Sequence, residues 1–224
     1  QEINNYKYKN MAFVGKKFPN LSVNAMNDLG DTFKLNVLEE ATKNNKKVVL
    51  FWYPKDFTFV CPTELHAFQA ALKEFEKRNT LVIAASCDTA EVHFAWLSTA
   101  KDNGGIEGIT YPILADSNRN LASALGILDI TEESYNEETG LFTVEGDNVT
   151  YRATYLIDEE GTVQHESINN MPLGRNVNEY LRLVDALTHV QEKGEVCPAN
   201  WEEGKEAMQA NSKGTAAYLK AQMN

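Results

Sequence analysis

The chain is poor in cysteine. Three stand among 224 residues, at positions 61, 87 and 197. An odd, widely spaced set does not make the disulfide framework of a small secreted protein. No two of them have C-x-x-C spacing. Dithiol exchange within one turn therefore has no local seat. The four histidines, His66, His93, His165 and His189, form no H-x-x-x-H or H-E-x-x-H pattern. A structural or catalytic zinc site is not expected from such a set. Positive charge is also scarce: 21 Lys and Arg face 32 Asp and Glu, for a net charge of -11. That balance argues against a nucleic-acid or anionic-membrane partner, since both call for basic patches. No apolar run reaches the ~18 residues of a membrane span. Gln1 to Met11 is polar and lacks the apolar core of a signal peptide. The expectation is a cytoplasmic protein with no nucleic-acid or membrane partner.

What is present is enough sequence for one domain with an extension or for a small two-domain protein, with a core that needs no disulfides. Leu21 to Met26 and Thr32 to Leu35 flank a turn and read as a hairpin. The apolar run Lys47 to Tyr53 predicts a buried strand. Pro62 to Arg78 follows as a helix, with Leu65, Phe68, Leu72 and Phe75 on one stripe. Leu81 to Ala85 and Tyr111 to Leu114 read as strands, and Ala90 to Ala100 and Arg119 to Leu125 as helices. A second hairpin spans Tyr151 to Ile157 and Thr162 to Ile168, and Val177 to Val190 is helical. Strands alternating with helices indicate an α/β fold. Thr131 to Thr150 is polar and acidic apart from Leu141, Phe142 and Val144, and is read as a surface excursion, a small hairpin being one form it can take. The expected division is a domain over 1–192 and a tail over 193–224, which carries Cys197 and Trp201 and has too little apolar content to fold alone.

The richest run is F-W-Y-P-K-D-F-T-F-V-C-P-T-E, Phe51 to Glu64. It sets Cys61 where a buried strand turns into a helix. Pro62 suits the first helical position because its missing N–H would be unpaired there. Cys61 is thus read as the N-cap, with free backbone N–H groups and the positive helix end favouring its thiolate, the nucleophilic form. Thr58 can offer a hydroxyl to whatever the sulfur attacks. Pro54 can wall a pocket without a competing N–H, and Phe57, Phe59 and Val60 make the turn apolar.

This run closely resembles the active-site segment of the peroxiredoxins, thiol peroxidases with a thioredoxin-like fold. A second run, G-E-V-C-P-A-N-W from Gly194 to Trp201, resembles the resolving-cysteine segment of the typical two-cysteine subgroup, which includes alkyl hydroperoxide reductase C subunits. The resemblance covers roughly Met11 to Ala207. It implies a central mixed β-sheet flanked by helices, with a C-terminal tail that docks on a dimer partner. It implies that Cys61 reduces hydrogen peroxide and organic hydroperoxides through a sulfenic acid, which then forms an intersubunit disulfide with Cys197. Thioredoxin or an alkyl hydroperoxide reductase F-type flavoprotein would reduce that disulfide. It implies no metal, haem or flavin, and a homodimer assembling to a decamer.

Arg152, in Y-R-A-T-Y-L-I-D, resembles the family arginine beside the thiolate. An arginine in a core strand needs an acidic or sulfur partner, and Glu64, one turn into the Cys61 helix, can hold it; an edge-strand arginine pointing to water fits the pattern equally, and the resemblance favours the first. Arg175, in N-N-M-P-L-G-R, matches a second family arginine; a surface or helix-start arginine is the plain alternative. Cys87 is read as a packing residue, and His66 and His93 as surface or packing residues. Gly104 to Gly108 and Tyr218-Leu219 match only in part the loop and tail of hyperoxidation-sensitive relatives. The insertion at Thr131 to Thr150 is longer than in most of the family. Two other readings stand beside the peroxidase: a thioredoxin-type exchanger, which lacks its second cysteine because position 64 is Glu, and a chaperone or redox-sensor role.

Overall fold

The computed structural model describes residues 12–223; the polar segment Gln1 to Met11, read for targeting above, lies outside them. The chain divides into two compact units, one up to Arg175 and one from Asn176 onward.

The first unit is built on a seven-stranded mixed sheet in the order β2-β1-β5-β4-β3-β8-β9. Its strands are β1 (Ser22–Met26), β2 (Thr32–Asn36), β3 (Lys47–Trp52), β4 (Thr80–Ser86), β5 (Ile113–Ala115), β8 (Arg152–Ile157) and β9 (Val163–Asn169). β3 pairs parallel with β4 and antiparallel with β8, so it lies mid-sheet. That position explains its unbroken apolar run: both faces are covered. Val48, Leu50 and Trp52 join one core, with Ala153, Tyr155 and Ile157 of β8. On the other face Phe51 stacks on Phe68 of α2 (Cys61–Lys77), ring centroids 3.9 Å apart. Phe68 in turn stacks on Phe75, so the helical stripe expected from spacing is the buried one.

The remaining helices of this unit are α1 (Val37–Asn44), α3 (Ala90–Leu97) and α4 (Asn120–Leu125). α1 was not expected from the sequence. It is short and polar, and only Val37 and Ala41 are buried. Its signal lies in its ends: the Asn36 side chain accepts from the Glu39 N–H, and Asn45 closes it in the left-handed region. The 131–150 excursion is a hairpin, β6 (Glu132–Asn136) and β7 (Leu141–Glu145), paired as a separate two-stranded sheet.

In the second unit, α5 (Val177–Lys193) is followed by the tail. The tail has more structure than its composition suggests. Val196 and Met208 form an antiparallel bridge, and α6 (Ser212–Gln222) starts from an Asn211 cap. Trp201 is buried, 5.0 Å from the His189 ring of α5, and its indole N–H donates to the Lys205 carbonyl. Among the described residues, no helix is long and apolar enough to cross a membrane.

Candidate active site

Cys61 is fully buried at the end of the β3–α2 connection. The helix begins one residue earlier than expected. Val60 already has helical dihedrals and is the N-cap, so Cys61 is the first helical residue and Pro62 the second. The reason is that the Val60 carbonyl accepts from the Thr63 and Glu64 N–H groups. With those two donors spent and Pro62 lacking one, the Cys61 N–H is the remaining donor of that turn.

Arg152 starts β8, on the strand face opposite Ala153 and Tyr155. Its Nη1 lies 3.4 Å from Cys61 Sγ and donates to Glu64 Oε2 at 2.8 Å. Its Nε donates to the Met171 carbonyl at 2.6 Å. Three acceptors thus fix one planar guanidinium, which a lysine could not reproduce. The sequence reading of Glu64 as the residue holding Arg152 matches this geometry.

Arg175, left open between a functional and a surface role, is buried in the same cluster. Its Nε and Nη2 fork onto the two Glu64 oxygens at 2.9 and 2.8 Å, and its backbone N–H reaches Oε1 at 3.0 Å. Its Nη1 donates to the Ala153 carbonyl and to Thr154 Oγ1, both at 3.1 Å. The guanidinium also lies over the Phe51 ring, 5.1 Å from its centroid. Position 175 follows a loop, so no periodicity pointed it inward. The buried acid at Glu64, which needs more than one cation, is the signal that could have found it.

A pocket of about 340 Å³ opens over the sulfur. Pro54, Lys55, Thr58, Phe59, Val60 and Cys61 line one side. Asp147, Val149, Arg152, Met171 and Pro172 complete it. Pro54 is buried and lines the wall as expected. Thr58 also lines it, but its hydroxyl proton is directed to the Lys55 carbonyl at 2.8 Å. That bond tightens the turn and leaves the oxygen able to act as an acceptor. Phe59 is 94% exposed at the mouth, whereas Phe57 turns aside onto Trp96, 5.8 Å between centroids.

His93, read as a surface or packing residue, is the packing kind. It is wholly buried, with Nδ1 2.7 Å from Asp56 Oδ2 and Nε2 3.0 Å from the Leu114 carbonyl. Burial alone would lower the His93 pKa, but the Asp56 carboxylate and the Leu114 carbonyl outweigh it and hold it up. Burial likewise pushes Asp56 up, against the pull of His93. Tyr53 donates to Asp56 Oδ1 at 2.7 Å, and the Asp56 N–H donates to Asp88. This network pins the loop between β3 and α2. Asp56, Asp88 and His93 are the described group with metal-ligand chemistry, but their atoms are engaged with one another. His66 is half-buried, its ring nitrogen 3.0 Å from the Gly105 carbonyl. Burial drives the Cys87 thiol up to about 12, which fits its packing role.

Cys197 lies in the other unit, partly buried. Its thiol contacts the Ala186 carbonyl at 3.7 Å. Burial pushes its pKa up, with Arg182 opposing and Glu195 adding to the rise. Arg182 Nη1 also donates to the Trp201 carbonyl at 3.2 Å, tying that segment to α5.

A buried cysteine at a strand-to-helix turn, beside a guanidinium fixed by a carboxylate and under an apolar pocket, defines a thiol enzyme of the thioredoxin-like class. The AhpC/TSA family model matches residues 14–166, and the C-terminal domain of 1-Cys peroxiredoxin matches residues 186–221. The chain is 43% identical to alkyl hydroperoxide reductase C of Helicobacter pylori over 183 residues, 81% of this chain and 84% of the relative. It is 36% identical to the chloroplastic 2-Cys peroxiredoxin BAS1 of Hordeum vulgare, over 94% of this chain and 92% of the relative. The reduced 2-Cys peroxiredoxin of Plasmodium vivax superposes with a TM-score of 0.83 at 35% identity, covering 93% of this chain and 99% of the other. The chain belongs to the peroxiredoxin family and is a thiol-dependent peroxidase. These relatives favour that activity over a chaperone or redox-sensor role.

Proposed function

We propose that Cys61 is the thiolate that attacks hydrogen peroxide and organic hydroperoxides. The observation that carries this is the Arg152 guanidinium, 3.4 Å from Cys61 Sγ and held by Glu64, on the wall of the pocket above the sulfur. The sulfur attacks the terminal oxygen of R–O–O–H. An S–O bond forms and the O–O bond breaks. The departing R–O⁻ takes a proton and leaves as R–OH, and the sulfur is left as a sulfenic acid. Arg152 and the Cys61 N–H stabilise charge spreading onto the oxygens. Glu64 positions Arg152. Pro54 and the apolar wall limit water, and Thr58 offers its lone pairs to the peroxide O–H.

The sulfenic acid then condenses with the Cys197 thiol of a second copy, releasing water and forming a disulfide. A dithiol protein reduces that disulfide, either thioredoxin or an alkyl hydroperoxide reductase F-type flavoprotein. In this reading residues 1–192 carry the peroxide step and 193–224 the resolving step. The assembly is a homodimer that builds to a decamer, in the cytoplasm. The Arg152 contact at Cys61 and the burial that raises the Cys197 thiol support this division of labour.

The test is peroxide treatment followed by non-reducing electrophoresis and peptide mapping. Wild type and Cys87→Ser yield a covalent dimer joined Cys61 to Cys197; Cys61→Ser and Cys197→Ser do not. Cys61→Ser consumes no peroxide, and Cys197→Ser gives one oxidation without reductase-coupled turnover. An oxidised monomer with the same two cysteines joined would remove the intersubunit step. NADPH-coupled assays with each reductase system identify the electron donor.

A further inference from the structure

The Cys197 segment lies on its own helix, α5, and is fastened there on both sides of the thiol. Before the thiol, His189 Nε2 is 2.9 Å from Glu195 Oε2, and both side chains are mostly covered. Gln209 Nε2 donates to the other Glu195 oxygen at 3.4 Å, and Val196 and Met208 exchange backbone hydrogen bonds at 2.9 and 3.2 Å. After the thiol, the buried Trp201 packs on the same His189 ring, and Arg182 Nη1 donates to its carbonyl. Arg182, Ala186 and His189 stand four and three residues apart, on one face of α5. The Cys197 thiol rests on that face, at the Ala186 carbonyl. One histidine thus holds Glu195 and Trp201, which bracket the cysteine.

Two reactions compete for a Cys61 sulfenic acid. In one, the Cys197 sulfur attacks it: the S–S bond forms, the S–O bond breaks, and the hydroxyl leaves as water with the thiol proton. In the other, a second hydroperoxide transfers an oxygen to the sulfur, its O–O bond breaks, and a sulfinic acid and water or an alcohol result. The first needs a Cys197 sulfur that can come within ~2 Å of another sulfur. A thiol turned onto a carbonyl of its own helix is not so placed, so the contacts that keep it there govern the competition.

We propose that His189 is a positioning residue for the disulfide step: by holding Glu195 and Trp201 it keeps Cys197 on α5, and release of that hold sets the rate of condensation. The proposal rests on the reading of Cys197 as the resolving thiol. The experiment adds hydrogen peroxide to the reduced protein, quenches with an alkylating agent at intervals, and follows disulfide and sulfinic acid by mass spectrometry. His189→Ala should form the Cys61–Cys197 disulfide about two- to fivefold faster than wild type, the range that one partly exposed ion pair commands. At excess peroxide it should accumulate correspondingly less sulfinic acid, while its first oxidation of Cys61 keeps the wild-type rate. Burial raises the Cys197 thiol, Arg182 opposes, and the Glu195 carboxylate adds to the rise. His189→Ala leaves that carboxylate in place without its partner, so a faster disulfide there cannot come from easier ionisation. His189→Gln, which keeps a donor for Glu195, should fall between, and it carries the same test if His189→Ala does not fold. A merely structural role would lower thermal stability without moving the ratio of disulfide to sulfinic acid. Variants that form the Cys61–Cys197 bond no faster than wild type would overturn the proposal alone. A covalent dimer that survives Cys197→Ser would overturn the reading of Cys197 and this proposal with it.

Discussion

Replacing Arg152 with Met should slow the peroxide step by ~10²-fold or more, the scale of removing one electrostatic donor. The magnitude follows from the contact. Unit charges 3.4 Å apart, at an effective dielectric near 20, attract by about 5 kcal/mol. Part of that attraction exists before reaction, between guanidinium and thiolate, and accelerates nothing. The share that follows charge onto the peroxide oxygens sets the rate, and water entering the truncated site returns some of it. The fold should tolerate the change, because Glu64 keeps the two-pronged Arg175 contact and is not left as an unpaired buried charge. Arg152→Lys should recover only part of the rate, since one ammonium cannot hold Cys61, Glu64 and the Met171 carbonyl at once. The assay is stopped-flow oxidation of reduced protein, with circular dichroism and thermal unfolding as controls. A folded Arg152→Met chain within about threefold of the wild-type rate would refute the reasoning.

Glu64→Gln should cost stability as well as rate. A neutral amide offers one oxygen to two buried guanidiniums, and breaking such a network costs ~3–5 kcal/mol in unfolding free energy. A denaturant midpoint equal to wild type would contradict that. Phe68→Ala should lose ~3–5 kcal/mol, because its ring is sandwiched between Phe51 and Phe75; urea unfolding measures it. His93 binds its proton more tightly folded than unfolded. Its contribution is therefore complete below its ordinary value of ~6.5 and lost as pH rises through the raised folded value. His93→Gln should flatten that alkaline decline, and an unchanged slope of stability against pH would assign it to other groups.

The sequence carried the local physics. Apolar runs and stripes marked β3 and α2 because periodicity is a property of neighbours in the chain. The motif around Cys61 located the helix start to within one residue, and Gly194 to Trp201 marked the second cysteine. The 131–150 stretch was legible as a surface excursion from its polar, acidic composition. Elements held by their ends or by packing were not: α1 has two buried side chains, and α6 has none. What only tertiary structure decided was which distant groups share a space. Arg175 and Glu64 are 111 residues apart and bond bidentately. His93 and Asp56 are 37 apart and meet in the core. Asp147 and Val149 close a pocket whose sulfur belongs to another element. Long-range juxtaposition of buried charges depends on how β8 lies beside β3 and where the loops return. One-dimensional spacing does not encode that, and the cost of leaving a buried ion unpaired enforces it in the fold.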